Sequence, residues 1–375
     1  MAGLYIHIPF CLQKCAYCDF YSIVNTKLKN EFVNALCKEI ELQKDYLQKE
    51  FIQTIYFGGG TPSLLNIKDF DKIFNTIHKY FKVDKNNEIT VEANPDNLSK
   101  IYIRELAQIE VNRLSVGIQS FNNEYLSVMK RKHTVQQSID SVKMAQDQGF
   151  NNISIDLIYG LPDLTLDIWE ENIDKAFDLN IQHISAYHLT IEPNTLFNIF
   201  YKKGNLNLPS ETESLNQFKM LKHKTAKKGF LHYEISNFAL DGFISLHNTN
   251  YWMGIKYLGL GPSAHSYNLT SRQWNIQNLR VYLDEIPKGK LPYESEKLTE
   301  TEKFNDYLIT SLRTMWGLNA EKIKLDYSEI YLEHFLKKSK KYVETNLIKI
   351  SGNNYFFTEE GFFISDNVIQ DLLYE

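Results

Sequence analysis

The sequence predicts an α/β protein built as an incomplete parallel barrel, a partial (β/α)6 TIM-like arrangement, with a small C-terminal helical unit resembling a winged helix. Three observations carry this. Six β-prone runs alternate with six helical ones at a spacing of roughly 30 residues, the pattern of a parallel sheet covered by helices. Every one of those runs ends in a polar or Gly/Pro-rich stretch, and in parallel barrels chemistry gathers at such C-terminal strand ends. Three of the four cysteines in 375 residues stand together as C-x-x-x-C-x-x-C, at Cys11, Cys15 and Cys18, directly after the first run.

The first strand is Gly3 to Ile8, stopped by Pro9, which cannot donate to a ladder. Leu28, Phe32, Ala35, Leu36 and Ile40 recur at helical spacing within 27–50. A strand over Gln53–Phe57 runs into Gly58-Gly59-Gly60-Thr61-Pro62-Ser63, and a helix follows over 67–81. Strands are then expected at Glu88–Glu92, Arg113–Gln119, Asn152–Tyr159 and His183–Leu189, with helices at 98–108, 134–148 and 166–178 between them. Residues 210–228 read as a helix and His232–Ala239 as a strand. Thr299 and Glu302 form a capping-box pattern that opens a helix. Residues 346–357, around Gly352-Asn353-Asn354, read as a hairpin, and 366–374 as a closing helix. The expected organisation is a barrel over 1–240, a linking segment over 241–294 and a C-terminal domain over 295–375.

Composition narrows the function. A formal net charge of −5 gives no basic footprint, so nucleic acid is not an expected partner. The cysteines are too few and too bunched for a disulfide framework and point to a metal site in a reducing compartment. The N-terminus lacks a basic, apolar leader, and no run reaches the roughly 18 apolar residues of a membrane helix. A cytoplasmic location is expected. Two metals compete for the thiolates. Structural zinc wants four ligands, for which His7 is a candidate. An iron–sulfur cluster normally takes four thiolates, so three leave one iron open to an exogenous ligand.

The thiol motif after a first strand resembles the radical S-adenosylmethionine superfamily. The longer run Y-I-H-I-P-F-C-x-x-x-C-x-Y-C-D-F, with F-G-G-G-T-P-S, V-E-A-N-P, R-L-S-V-G-I-Q-S-F and I-D-L-I-Y-G-L-P, is similar to the family that joins oxygen-independent coproporphyrinogen III oxidases (HemN) and haem chaperones (HemW). The resemblance implies a radical SAM barrel with a [4Fe–4S] cluster on Cys11, Cys15 and Cys18 and S-adenosylmethionine on the open iron. It implies that carbonyls around Gly59, Gly60 and Thr61 hold the methionyl ammonium and that Arg131 faces the carboxylate. It places Glu92, Gln119 and Asp156 at the ribose, amine or neighbouring polar groups, and Tyr5 and Tyr17 beside the cofactor.

Within the family, the oxidase carries a further cysteine two positions after the third, where this chain has Phe20, and a leading segment that this sequence does not show. The chaperone branch carries H-N-x-x-Y-W, present here as His247, Asn248, Tyr251 and Trp252. The resemblance then implies haem as a further ligand, with His247 on the iron and Tyr251 and Trp252 bordering the porphyrin. His265 is open between a second-ligand and a structural role. The expected function is haem binding and delivery to an acceptor haemoprotein of the respiratory chain. The alternatives are radical decarboxylation of coproporphyrinogen III and a zinc-binding structural role. Whether the chain is an enzyme is left open, and a homodimer is expected from the family alone.

Overall fold

The two faces of the main sheet explain the architecture. In the computed structural model, which describes residues 1–375, strands β1 (Ala2–Ile8), β2 (Phe51–Gly59), β3 (Lys82–Ala93), β4 (Arg113–Gln119), β5 (Ile153–Tyr159) and β6 (His183–His188) lie side by side, all parallel and in chain order. Side chains alternate across a strand. One set, including Leu4, Ile6, Ile8, Ile55, Phe57, Ile89, Val91, Leu114, Val116, Ile155 and Leu157, is buried in a single apolar core. It faces the covering helices Lys29–Leu42, Ile67–Tyr80, Val135–Asp147 and Leu166–Asp178.

The helix Ile67–Tyr80 shows why these segments form. Asn66 and Asp69 cap each other reciprocally at 3.0 Å, satisfying two orphan N–H groups. Phe70, Ile73, Phe74 and Ile77 then fall on one face and are buried, and each contributes about 2 kcal/mol by leaving water. Phe57 of β2 meets Phe70 and Phe74 edge-on at 5.0 and 5.5 Å.

The opposite set faces the barrel interior and is polar: Tyr5 and His7, Thr54 and Tyr56, Glu88, Thr90 and Glu92, Arg113 and Ser115, Ser154 and Asp156, His183 and Ser185. A closed barrel usually fills this space with branched aliphatics. Here hydrogen bonds fill much of it: His183 bridges the Ser154 hydroxyl (2.7 Å) and the Tyr233 hydroxyl (2.8 Å).

The barrel is left open, as the six repeats predict, but its edges extend further than the sequence suggests. Beyond β6 lie β7 (Leu231–Glu234) and β8 (Asn237–Ala239), a hairpin where one strand was expected. The Glu234 carboxylate makes the turn by accepting from Ser236 N and from the Asn237 amide. On the other side β9 (Tyr257–Leu260) pairs parallel to β1, followed by β10 (His265–Tyr267), β11 (Ser271–Asn275) and β12 (Tyr293–Lys297), giving a 12-stranded sheet. The stretch expected to link domains therefore supplies part of the sheet, and Leu258, Leu260, Leu279, Tyr282 and Ile286 join the main core. The first helix ends at Leu42 rather than near 50, and turns lead from there to Gln48 and Lys49, which adopt positive φ just before β2. Short helices at Asn123–Val128 and Leu196–Lys202 escaped the periodicity reading, being less than two turns long.

The C-terminal part has its own cluster of 13 buried apolar residues, from Phe304 to Leu372. It carries the helix Glu300–Ser311, started by the Thr299–Glu302 box as expected, and a small sheet of β13 (Leu318–Asn319), β14 (Ile348–Ser351) and β15 (Asn354–Phe357). Phe362 packs 5.1 Å from His232, and Lys219 and Lys222 pair with Glu360 and Glu359, fastening this part to the β7 side of the barrel. No helix is long and apolar enough to cross a membrane.

Candidate functional site at the barrel mouth

Pro9 ends β1, and the chain leaves the sheet as a loop pinched at its base. Cys11 N donates to Ile23 O (3.0 Å), and Ile23 N donates to Pro9 O (2.8 Å). The loop is also held from the side: Ala16 N donates to Met129 O, Phe197 N to Ala16 O, and Gln13 Nε2 to Lys130 O. Cys11, Cys15 and Cys18 are thus fixed over the C-terminal strand ends as free, half-buried thiols. Burial pushes the Cys18 thiol up to about 11, and a metal centre bound there would hold it as thiolate.

The glycine run after β2 is a close-approach device. A Cβ on Gly60 would stand 2.6 Å from Phe10 O and 3.1 Å from Cys11 Sγ. Gly59 has φ +104° and lies flat against the His7 ring. A chain of polar contacts then surrounds the thiols. Thr61 Oγ1 lies 3.5 Å from Cys11 Sγ and accepts from Asn94 Nδ2 at 3.2 Å. Asn94 Oδ1 accepts from Arg131 Nη2 at 2.6 Å, Gly117 O accepts from the same nitrogen at 2.7 Å, and Arg131 Nη1 sits 3.4 Å from Cys15 Sγ. Gln119, a non-glycine residue at φ +69°, turns its side chain back over Gly117. Tyr17 packs against Phe197 at 6.5 Å, and its phenol is pushed up by burial.

Just inside the mouth, Glu92 accepts from the Tyr56 hydroxyl (2.8 Å) and Gly59 N (3.2 Å), and Asp156 accepts from Ser115 Oγ (3.3 Å). Burial raises both carboxyls, Glu92 to about 7 and Asp156 to about 6. Tyr5 reaches His7 Nδ1 at 3.2 Å. The structure therefore brings Tyr5, Tyr17, Gly59, Gly60, Thr61, Glu92, Gln119, Arg131 and Asp156 around or beneath the three cysteines. Asn94 and Gly117 were not singled out from sequence. Their signal was position alone, at the polar end of a strand within V-E-A-N-P and R-L-S-V-G-I-Q-S-F.

A model of the radical SAM superfamily matches residues 5–176, the span that holds the cysteine loop and the first five strands. The protein described as "Heme chaperone HemW" from Lactococcus lactis is 34% identical over 98% of this chain and 96% of its own length. The protein of the same description from Bacillus subtilis is 33% identical over the whole of both chains. The chain belongs to the HemW family of radical SAM proteins. The solved coproporphyrinogen III oxidase HemN from Escherichia coli has the same fold, with a TM-score of 0.85 over 99% of this chain and 90% of that one, at 22% identity.

Membership in the radical SAM superfamily implies a [4Fe–4S] cluster and S-adenosylmethionine, and the residues of this HemW-family chain fit both. Three thiols on one loop leave one corner of a cube without a protein ligand. The mouth beside them carries carbonyls, carboxylates and a guanidinium for a ligand that bears an ammonium, a ribose and a carboxylate. A single zinc ion fits less well: no three His, Cys, Asp or Glu groups gather closely enough around one point. His7, the candidate fourth ligand, has Nε2 bound to Tyr21 O at 2.8 Å and Nδ1 to Tyr5.

The H-N-x-x-Y-W segment lies elsewhere, at the N-terminal ends of the strands. It forms the helix Leu246–Trp252, whose N-terminus is capped by Glu88 of β3: Ser245 Oγ, Leu246 N and His247 N all donate to this one carboxylate, at 3.3, 2.9 and 2.9 Å. His247 points into the barrel floor and is 2% exposed. Its Nδ1 is bonded to Thr54 Oγ1 at 2.8 Å and its Nε2 to the Tyr251 hydroxyl at 2.9 Å, and its ring stacks on Tyr56 at 4.9 Å. Burial lowers the imidazole to about 3, so it is neutral. The sequence expectation put His247 on haem iron; in this structure the imidazole is enclosed in the floor, because the Glu88-capped helix turns it inward. Tyr251 bonds to His247 through its hydroxyl, and Trp252 is half-buried. Phe20 is 68% exposed on the cysteine loop.

Glu88→Ala strands three donors in the floor and is expected to cost about 3 kcal/mol. Urea unfolding monitored by circular dichroism should show a lower midpoint with an unchanged slope. A midpoint equal to that of the parent would mean that Glu88 does not hold the helix.

Proposed function

We propose that this chain is a haem chaperone: it binds haem and passes it to an acceptor haemoprotein, while Cys11, Cys15 and Cys18 carry a [4Fe–4S] cluster and the barrel mouth carries S-adenosylmethionine. The observation that carries the reading is end-to-end similarity, at 33–34% identity, to proteins described as haem chaperones. Phe20, where the oxidase has its extra cysteine, favours it over porphyrinogen decarboxylation, and the likeness to HemN supports a shared fold only.

In this reading Gly59, Gly60 and Thr61 accept from the methionyl ammonium, Arg131 meets the carboxylate, Glu92, Gln119 and Asp156 take the ribose, amine or nearby polar groups, and Tyr5 and Tyr17 line the pocket. A cluster held by Cys11, Cys15 and Cys18 would, when reduced, supply one electron for cleaving a carbon–sulfur bond of S-adenosylmethionine. The chain's part is to orient that ligand and keep water from it. His247 is the proposed iron ligand, bordered by Tyr251 and Trp252. It is held neutral by burial, the form that binds iron, and Nε2 becomes free when the Tyr251 hydroxyl leaves it. A haemoprotein of the respiratory chain is the proposed acceptor, and a homodimer the proposed assembly.

The test uses anaerobically reconstituted protein in two parallel assays: haem transfer to an apo-haemoprotein, and conversion of coproporphyrinogen III. Haem transfer is expected, with weaker haem binding and a changed absorption spectrum in His247→Ala. Turnover to protoporphyrinogen without haem binding would overturn the function. An unchanged spectrum in His247→Ala would remove that residue from the site.

A further inference from the structure

Haem needs an imidazole it can reach, and His247 is closed off on both ring nitrogens. The sheet register locates another. Gly3 of β1 pairs with Tyr257 of β9, and a Cβ on Gly3 would meet the His247 ring and Thr54, so this side of the strand looks into the barrel. Tyr257 pairs with Tyr267 of β10, which shares its side with His265 two residues earlier. His265 in turn pairs with Trp274 of β11, and Tyr267 with Arg272. His265, Trp274, Tyr267 and Arg272 therefore form one surface that continues the barrel's inner face past its open edge.

On that surface His265 is exposed, and neither ring nitrogen has a hydrogen-bond partner within the chain. The ring is nonetheless held in place. It stacks on Trp274 at 6.1 Å and 27°, and Trp274 is itself fixed by donating Nε1 to Glu294 at 3.2 Å. The backbone is built for this placement too: a Cβ on Gly259 would stand 2.0 Å from His265 O, so only glycine lets β10 lie this close. Partial burial, and then the neighbouring Arg272 guanidinium, both lower the imidazole, which favours the neutral form.

We infer that His265 is an iron ligand for haem, holding the metal on the open inner face of the β9–β11 extension with the Trp274 ring as its aromatic support. The inference rests on the proposed haem-binding function and adds the ligand that function requires in the present conformation. A ferric porphyrin would coordinate through a free imidazole nitrogen, and its flat apolar rim would lie along the exposed aromatic surface. His247 is then the second ligand, freed when the Tyr251 hydroxyl leaves its Nε2.

The test is titration of haemin, and separately of metal-free protoporphyrin IX, into the full chain and into His265→Ala. Electronic absorption and electron paramagnetic resonance report the axial ligand. His265→Ala is expected to lose haemin affinity by about tenfold or more and to lose the imidazole-ligand signature, with added imidazole restoring that signature. Metal-free porphyrin should bind both proteins alike. Parental haemin affinity and spectrum in His265→Ala would overturn the assignment while leaving the proposed function intact. Failure of the parent chain to bind haemin would overturn the proposed function itself. An equal loss of haemin and metal-free porphyrin would also overturn the assignment, because it would mean that His265 shapes the surface rather than binding the metal.

Discussion

Cys15→Ala, reconstituted anaerobically with iron and sulfide, is expected to retain only background iron and to lack the brown chromophore that dithionite bleaches in the parent chain. Cys11, Cys15 and Cys18 are the only thiols on the loop, and the remaining cysteine, Cys37, lies on the first helix with its thiol directed at Lys72 O. With three ligands already one short of the usual set, removing another leaves no spare thiolate to slide into place. The backbone bonds that pinch the loop do not involve the Cys15 side chain, so the fold should survive. Arg131→Met makes the contrast. Its guanidinium touches Cys15 Sγ but is anchored by Asn94 and Gly117, so the variant should keep its iron while S-adenosylmethionine affinity drops by roughly tenfold or more. Iron analysis and equilibrium binding separate the two roles. A Cys15→Ala protein with full iron content would sink the cluster assignment.

Glu39→Gln should change how stability depends on pH. Glu39 lies fully buried between the first helix and the β9–β11 extension. It accepts from Gly261 N (2.7 Å), Asn275 Nδ2 (2.6 Å) and the Tyr282 hydroxyl (2.6 Å). Burial outweighs these three bonds and raises the carboxyl to about 7 from 4.5. A folded-state value above the unfolded one means that Glu39's contribution is full below the unfolded value and is lost as pH rises through about 7, a swing of about 3 kcal/mol. Buried histidines such as His7 and His232, both lowered to about 4, act in the opposite sense, losing stability as pH falls below their unfolded value. The informative quantity is therefore the difference between parent and variant. Glutamine keeps the volume but cannot accept all three bonds, so it should be clearly less stable at pH 5. The gap should narrow steadily up to pH 8.5, as read from urea midpoints. A gap that stays constant across that range would show that Glu39 does not titrate in it.

The barrel and its mouth were legible because their signals are local. A strand that stops at or just after Gly59, Glu92 or Gln119 leaves those residues near one end of a parallel sheet, whatever the rest of the chain does, while Asp156 lies mid-strand on the inner face. The cysteine loop was legible for the same reason. The extension was not, because β1 finds β9 some 250 residues away and nothing within Tyr257–Leu260 names its partner. The floor was not legible either. H-N-x-x-Y-W reads as a ligand motif, yet what decides its orientation is Glu88, a strand residue whose carboxylate captures the helix N-terminus. Arg113 and Thr90 show the limit most clearly. Both are fully buried and pair with each other in register on the inner face, where simple hydropathy would place aliphatic side chains.

The β1–β9 pairing also sets an order of events during synthesis. The thiol loop is among the first segments made, but the residues that close around it come late: Gly261, whose turn lies against His7 O, and Leu279, whose N–H donates to the Tyr21 hydroxyl at 2.7 Å. At ribosomal rates of about 5–20 residues per second, the cysteines emerge about 10–50 s before those partners. Met129, Arg131 and Phe197, which hold the loop from the side, are made earlier, so the loop gains its side supports before its last neighbours arrive. The β1–β9 pairing thus makes the closing of the barrel floor and edge a late event, set by residues beyond Tyr257 rather than by the thiol loop itself.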